Sequence, residues 1–145
     1  MIAIRIQHDP FDPGAELSAL GTDGAVASFT GHVRADDGVS VLELEHYPGM
    51  TERALEEIAA NAADRWTLSA VRIVHRVGPM QPGEAIVFAA AASAHRAAAL
   101  EACTYLIDRL KTDAPFWKRE SRALSDAASW VEPRAADDDA AARWD

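Results

Sequence analysis

The spacing of hydrophobic positions predicts a strand and a short helix at the start of the chain. Ile2, Ile4 and Ile6 alternate with other residues, which is the period of a strand with one buried face. Asp12 is suited to cap a following helix, and Gly21 lies where left-handed backbone geometry often ends one. We therefore expect a half-buried strand followed by a short helix.

Two further strands and a long helix are predicted next. Residues 24–34 and 39–46 have strand composition, and the stretch 35–38 between them indicates a turn or mobile loop, so we expect the two strands to pair antiparallel. Residues 51–66 then carry apolar side chains at helical spacing, which predicts a helix with one buried stripe. That stripe consists of Leu55, Ile58, Ala59, Ala62 and Trp66.

A hairpin and a second long helix follow. Alternation over residues 71–77, a proline-glycine turn and the apolar run Ala85–Ala92 predict a central hairpin whose second strand is buried on both faces. Ser93 is a suitable cap for the next helix, which should extend to about Lys111. The apolar face of this helix consists of Ala99, Cys103, Leu106 and Leu110.

The C-terminal part mixes charged and aromatic residues. Residues 116–134 should form an irregular segment with one strand near Trp130, and the acidic tail from Ala135 should form a last short helix or fray. Helix and strand patterns mix without strict alternation, and no linker interrupts them. We therefore expect one α+β domain over residues 1–145, with mixed or antiparallel sheets and two main helices.

Charge and hydropathy exclude two classes of partner. The chain carries 14 Lys and Arg against 23 Asp and Glu, and a surface of net charge -9 repels the phosphates of nucleic acid. No apolar run reaches the roughly 18 residues of a membrane span, and Arg5 and Gln7 interrupt any signal-like stretch. We expect a cytoplasmic protein that binds neither nucleic acid nor membranes.

Cysteine and histidine usage argues against a metal centre. The single Cys103 cannot form an internal disulfide, no CxxC pair is present, and the five histidines lack metal-ligand spacing. Cys103 shares a helix face with leucines, which predicts a core position. We expect no metal and no cofactor, so any sulfur chemistry has to import its sulfur.

The first candidate site is Ser93-Ala94-His95-Arg96, which places an imidazole and a guanidinium in the first turn of a helix. The free N–H groups at a helix N-terminus favour an anion such as phosphate. The alternative is that His95 caps the helix locally and Arg96 is solvated.

The second candidate, residues 111–120, places two lysines on either side of a proline turn that carries Phe and Trp. Aromatics that fix this loop also hold Lys111 and Lys118 in place, and a desolvated lysine can act as a base or nucleophile. Alternatively, Lys111 complements the helix dipole, Lys118 and Arg119 lie on a solvated face, and the two aromatics are core anchors.

The third candidate is the strand end Phe29–Arg34, which runs into the acidic loop. From that position Arg34 can reach over a pocket. Phe29 and His32 belong to the same stretch, and the pattern taken alone is weak.

Together these stretches resemble the MoaE family, the large subunit of molybdopterin synthase. The matching stretches are residues 44–51, 93–96, 111–120 and the Trp-Val-Glu-x-Arg sequence at 130–134, in a resemblance that covers about residues 24–134. It implies an α/β-hammerhead fold and a homodimer, with one small ubiquitin-like subunit docked at each end.

The resemblance also implies a function. The small partner, a sulfur carrier, would insert its Gly-Gly C-terminal tail, which carries a thiocarboxylate, into a pocket of this subunit. Two successive sulfur transfers would convert cyclic pyranopterin monophosphate to the dithiolene of molybdopterin. The protein would then be a sulfurtransferase of molybdenum cofactor biosynthesis, and the alternative is a non-catalytic anion-binding or adaptor module.

Residue roles follow from the same resemblance. By motif position, Lys111 would be the principal catalytic lysine, acting as acid/base or as a covalent partner, with Lys118 in support. Arg34, His95 and Arg96 would bind the substrate phosphate, in a pocket that combines residues of both protomers. The other residues assigned to the substrate pocket are Phe29, His32, Arg119, Glu120 and Arg134.

Overall fold

The structure is a computed structural model that describes residues 1–35, 38–122, 125–131 and 134–145, with the backbone alone for residues 125–129. The strands are β1 (Ile2–Gln7), β2 (Ala25–His32), β3 (Val39–His46), β4 (Ala70–Arg76), β5 (Gly78–Met80), β6 (Ala85–Ser93), β7 (Phe116–Arg122) and β8 (Ser125–Trp130). The helices are α1 (Pro13–Ser18), α2 (Met50–Arg65), α3 (Arg96–Asp113) and α4 (Ala135–Ala142).

Parts of two predicted features lie outside the described residues. These are Asp36 and Asp37 of the acidic loop, and Glu132 and Pro133 of the Trp-Val-Glu-x-Arg sequence.

The first sheet has the strand order β1-β4-β6-β2, with β1 parallel to β4 and the other neighbours antiparallel. The predicted central hairpin is confirmed, because β4 and β6 pair antiparallel in the middle of this sheet. Residues 88–93 of β6 are all buried, as a strand covered on both faces requires. Small alanine side chains allow this close covering.

Helices cover both faces of the first sheet. The helix predicted at 51–66 is confirmed as α2, and it packs with α3 on one face in a cluster that includes Leu55, Ile73 and Leu106. On the other face, Leu20 packs with Phe88 just beyond α1. The α1 cap is also as expected, since the Asp12 carboxylate accepts a hydrogen bond from the Gly14 N–H at 3.0 Å.

The second sheet has the order β5-β3-β7-β8 and is antiparallel throughout. The expectation that the strands at 24–34 and 39–46 pair with each other was wrong: β2 pairs with β6, whereas β3 pairs with β5 and β7. The physical reason lies in the connection, because the Val33 N–H donates to the Glu84 carbonyl at 2.9 Å. That contact continues the ladder with β6 before the chain crosses to the other sheet.

The predicted strand near Trp130 is present as β8, but the expectation of an irregular segment before it was wrong, because residues Phe116–Arg122 form β7. The sequence of β7 lacks apolar alternation because its two faces carry different charged residues. Lys118 and Glu120 line a cavity, while Arg119 pairs with Glu43 outside it. Backbone pairing with β3, rather than side-chain burial, makes this segment a strand.

Ser93 does not cap α3. It is the last residue of β6, and its hydroxyl donates to the Thr67 carbonyl at 2.8 Å while accepting from the His95 N–H at 3.3 Å. The N-cap is His95, whose side chain makes no capping hydrogen bond. Two residues of loop therefore separate the strand from the helix.

The C-terminal tail forms α4, which is anchored to α3. The Asp108 carboxylate accepts hydrogen bonds from Arg143, at 3.0 and 2.6 Å, and from the Trp144 indole at 2.6 Å. This anchor fixes the C-terminal end of α4, and Arg134, the N-cap at the other end, lines the cavity. None of the described helices is both long enough and apolar enough to span a membrane.

Candidate functional site

A cavity of about 310 Å³ opens between the two sheets at the C-terminal end of α3. This volume lies at the lower end of the roughly 300–1,000 Å³ of small-molecule sites. Its apolar wall includes Phe29, Val39, Leu42, Leu44, Ile86, Val87, Ile107, Leu110 and Phe116. Its polar wall includes His32, Arg34, His75, Lys111, Lys118, Glu120, Arg134 and Asp137.

Both predicted catalytic lysines line this one cavity. The sequence contains no other lysine, so all of its ammonium side chains converge here. Lys111 is in the last turn of α3, and Lys118 is on β7, which begins three residues after the helix ends. The register of β7 against β3 places Lys118 opposite Leu44, a cavity residue, and fixes the direction of its side chain.

The surroundings of Lys118 lower the pKa of its ammonium group. Burial, followed by the nearby charges of Lys111 and Arg134, lowers the pKa of Lys118, while Glu120 and Asp137 act in the opposite direction. The Lys118 side chain lines the cavity and is also exposed to solvent. A lysine held in this way releases its proton more readily than one on an open surface.

His75 is a cavity residue that the sequence reasoning missed as a functional position. Its ring stacks on Phe116 with centroids 3.9 Å apart and planes 17° from parallel. Burial, together with the charges of Lys111 and Lys118, lowers the pKa of His75 to about 4. The sequence around His75 indicates only an alternating strand.

The third predicted stretch forms another side of the cavity. Phe29 and His32 at the end of β2, and Arg34 just beyond it, all line the cavity wall. Gly31 allows this part of the wall to pack closely, because a Cβ atom at this position would lie 2.9 Å from the Val87 side chain. The Phe29 side chain lines the cavity and is 39% exposed to solvent.

The C-terminal segment closes the remaining side. Arg134 and Asp137 line the cavity from the start of α4, and Glu120 lines it from β7. Glu120 also accepts a hydrogen bond from Arg122 at 3.1 Å. Asp137 lacked any signal in the sequence, because the acidic tail reads as a solvated surface.

Three predicted site residues lie elsewhere in this chain. His95 and Arg96 start α3, and the 15 residues from Arg96 to Lys111 span about 22 Å of helix, at roughly 1.5 Å per residue. Arg119 points away from the cavity, where it donates to Glu43 at 2.9 Å and lies over the Trp130 ring. One protomer alone therefore does not bring the whole predicted set together.

Two of the simpler interpretations of the sequence can also be compared with the structure. Trp117 is 49% exposed and is not a core anchor, whereas Phe116 is partly buried against His75. Cys103 is buried in the core as expected, and burial raises the pKa of its thiol to about 11. A thiol in that state is a poor nucleophile.

Comparison with known proteins identifies the family. The model of the family described as "MoaE protein" matches residues 6–113, which is most of the chain. The chain belongs to the MoaE family. The molybdopterin synthase catalytic subunit of Pseudomonas aeruginosa is 52% identical, over 99% of this chain and 99% of that protein.

Solved structures of the family agree with this result. The MoaE protein of Burkholderia ambifaria superposes with a TM-score of 0.84 at 51% identity, covering 99% of this chain and 98% of that one. Molybdopterin synthase from Staphylococcus aureus superposes with a TM-score of 0.80 at 35% identity, covering 88% and 95%. The α+β fold, the family and the enzymatic class predicted from the sequence are confirmed, and these relatives do not support a non-catalytic module.

Proposed function

We propose that this chain is the catalytic subunit of molybdopterin synthase and that the cavity beside α3 is its sulfur-transfer site. The observation that carries the proposal is the convergence of Lys111 and Lys118 with Arg34 and Arg134 around one cavity of ligand size. The chain as a whole has a net charge of -9, so a cluster of cations around one cavity stands out from the rest of its surface. Binding of an anionic ligand explains this cluster.

The substrate and the sulfur donor are both anions. A pterin phosphate and the C-terminal thiocarboxylate of a small ubiquitin-like partner repel each other unless fixed cations lie between them. The four cationic side chains reduce that repulsion. The apolar wall from β3 and β6 excludes water and strengthens each electrostatic interaction inside.

The lysines then donate and accept protons during each sulfur transfer. A C–S bond forms between the thiocarboxylate sulfur and a substrate carbon, and an oxygen leaving group departs with a proton. Water then cleaves the acyl–sulfur bond and leaves the partner with a carboxylate. We assign Lys111 as the principal acid/base or covalent residue, and Lys118, whose pKa is lowered, as the amine that supports it.

We further propose that the working site includes two protomers. His95 and Arg96 lie too far from Lys111 to share its cavity within one chain. In a homodimer, the corresponding residues of a second copy can approach the open mouth of the cavity and bind the phosphate. Arg119, which faces Glu43 outside the cavity, is then a rim residue rather than a ligand for the substrate.

The remaining expectations complete the proposal. Residues 1–145 form one catalytic-subunit domain that needs no metal or cofactor and works in the cytoplasm. The lone Cys103, which has no disulfide partner, is consistent with that compartment. Cell fractionation with antibody detection checks the location.

Substitution of Lys111 tests the proposal. Lys111→Ala should reduce dithiolene formation at least ~100-fold, the usual scale of acid/base catalysis, in an assay with the thiocarboxylated partner and the pterin phosphate. Partner binding should largely survive, because one side chain in the cavity is changed. Arg119→Ala is the matched control: it also removes a cation from this region, but outside the cavity, and it should keep most of the activity. Full turnover by Lys111→Ala would remove Lys111 from its role.

A further inference from the structure

The His75 side chain is held in one orientation at the cavity wall. Its Nδ1 atom lies 2.8 Å from the Arg76 carbonyl oxygen, and its ring face stacks on Phe116. A carbonyl oxygen can only accept, so Nδ1 must carry the hydrogen. In the neutral ring, Nε2 is then an acceptor.

The ring stays neutral under ordinary conditions. Burial lowers the pKa of His75, and so do electrostatic interactions with Lys111 from α3, Lys118 from β7 and His46 from β3. With the pKa at about 4, the imidazole keeps its Nε2 lone pair across the neutral range.

Among the described residues there is no hydrogen bond to Nε2 of His75, and this atom is not one of the buried side-chain atoms without a partner. The His75 side chain is partly exposed and lines the cavity, so a ligand in the cavity can approach its ring. The four cations there are donors only, and Glu120 and Asp137 are acceptors with negative charge. His75 therefore offers an acceptor that does not repel an anion.

We propose that His75 is a specificity-determining residue whose Nε2 accepts a hydrogen bond from an N–H or O–H group on the ring of the substrate. This inference rests on the proposed function, because a pterin ring carries N–H and amino donors beside its phosphate. The cations bind the phosphate, and His75 distinguishes the ring. A phosphate without such a donor gains nothing from it.

Three substitutions isolate the acceptor. His75→Phe keeps an aromatic ring to stack on Phe116 but has no acceptor. His75→Asn keeps an amide donor near the position of Nδ1 and also lacks Nε2. His75→Gln carries an amide that reaches the position of Nε2, and it should restore part of the function.

The measurement is steady-state sulfur transfer with the thiocarboxylated partner, combined with competitive inhibition by inorganic phosphate. The Phe and Asn variants should raise KM for the pterin phosphate about 10-fold, the worth of one well-placed hydrogen bond, with kcat within about 2-fold. The inhibition constant of inorganic phosphate should stay within about 2-fold of the wild-type value. The Gln variant should recover at least half of the lost affinity on a logarithmic scale.

The outcomes separate this inference from the function on which it rests. If the wild-type protein transfers no sulfur, the proposed function fails. If the wild type is active and both acceptor-free variants keep the wild-type KM, the role of His75 is wrong. Equal weakening of pterin phosphate and inorganic phosphate also overturns it, because His75 would then act through the lysines. Thermal melts identify a misfolded Phe variant, and the Asn variant then decides the question.

Discussion

The two lysines can be studied individually, because the sequence contains no others. They share one cavity, and apart from the N-terminal amine no other primary amine is present in the sequence. The charge of Lys111 helps to lower the pKa of Lys118, so the state of one amine influences the other. Apart from the N-terminal amine, an amine-directed reagent therefore modifies only the two lysines of this cavity.

Lys118 should remain reactive at a pH where ordinary lysines do not. The pKa of Lys118 lies below 10.5, the value for an ordinary lysine. At a given pH, a larger fraction of its amine is therefore neutral than in an ordinary lysine, and this fraction rises as the pH increases through the lowered pKa. In Lys111→Arg, which keeps the neighbouring positive charge, acylation of Lys118 measured by mass spectrometry should continue to a lower pH than acylation of an unstructured lysine peptide. Coincident pH profiles for the protein and the peptide would contradict the lowered pKa.

Residues in contiguous motifs could be predicted from the sequence, and residues assembled by folding could not. Lys111 and Lys118 stand seven positions apart around a proline, so the sequence itself indicated their common site. His75 acquires its role from Phe116, which is 41 positions away, and from the two lysines. On its own strand it shows only the alternation of any half-buried residue.

At the scale of elements, the packing of the start of β2 against the loop that precedes α3 depends on a glycine. Gly24 has φ +66, and a Cβ atom there would lie 2.6 Å from the Ala94 carbonyl oxygen, in the loop that leads into α3. Gly21 has φ +81 but no atom within 4 Å of such a Cβ. The two glycines share a backbone conformation and differ in the space around them.

Gly24→Ala should therefore destabilise the protein much more than Gly21→Ala. A non-glycine residue in this conformation costs about 1–2 kcal/mol, which is all that Gly21→Ala should lose. Gly24→Ala adds a backbone clash and should lose at least ~3 kcal/mol, measured as the free energy of unfolding in urea. Equal losses for the two variants would mean that the Ala94 loop yields without cost.

Strong periodicity predicted elements well, but strand partners needed information from distant segments. The stripe of α2 and the apolar run of β6 are local patterns, and both were confirmed. The pairing of β3 with β7 joins segments about 75 residues apart, which no local turn signal indicates. The charged sequence of β7 also gave no strand signal, because one of its faces lines the cavity and the other carries ion-paired side chains.

At the scale of the whole molecule, the length of α3 separates two groups of site residues. His95 and Arg96 are at one end of the helix and Lys111 is at the other. The cavity completed by a second protomer that we propose would resolve this separation. Activity would then be a property of the pair rather than of one chain.

Mixing two inactive variants tests this arrangement. If Arg96 of one protomer acts in the cavity of the other, a dimer of Lys111→Ala with Arg96→Ala has one cavity with both changes and one with neither. Random reassortment should restore about a quarter of the wild-type activity, because half of the dimers are mixed and each has one intact cavity. The unmixed variants are the controls, and no recovery after verified subunit exchange would mean that Arg96 does not act in the cavity of the other protomer.

The alanines of β6 have a consequence for the distance between the two amines. Ala89 and Ala91 lie beneath α3 with no exposed surface, and a methyl group has no rotamer with which to adjust. A larger side chain there can be accommodated only by displacement of the helix as a body. Lys111 moves with that helix, whereas Lys118 belongs to the other sheet. The distance between the two amines therefore depends on the methyl groups of Ala89 and Ala91. Replacing either methyl group with a larger side chain should leave the protein folded but slow the sulfur transfer that we propose.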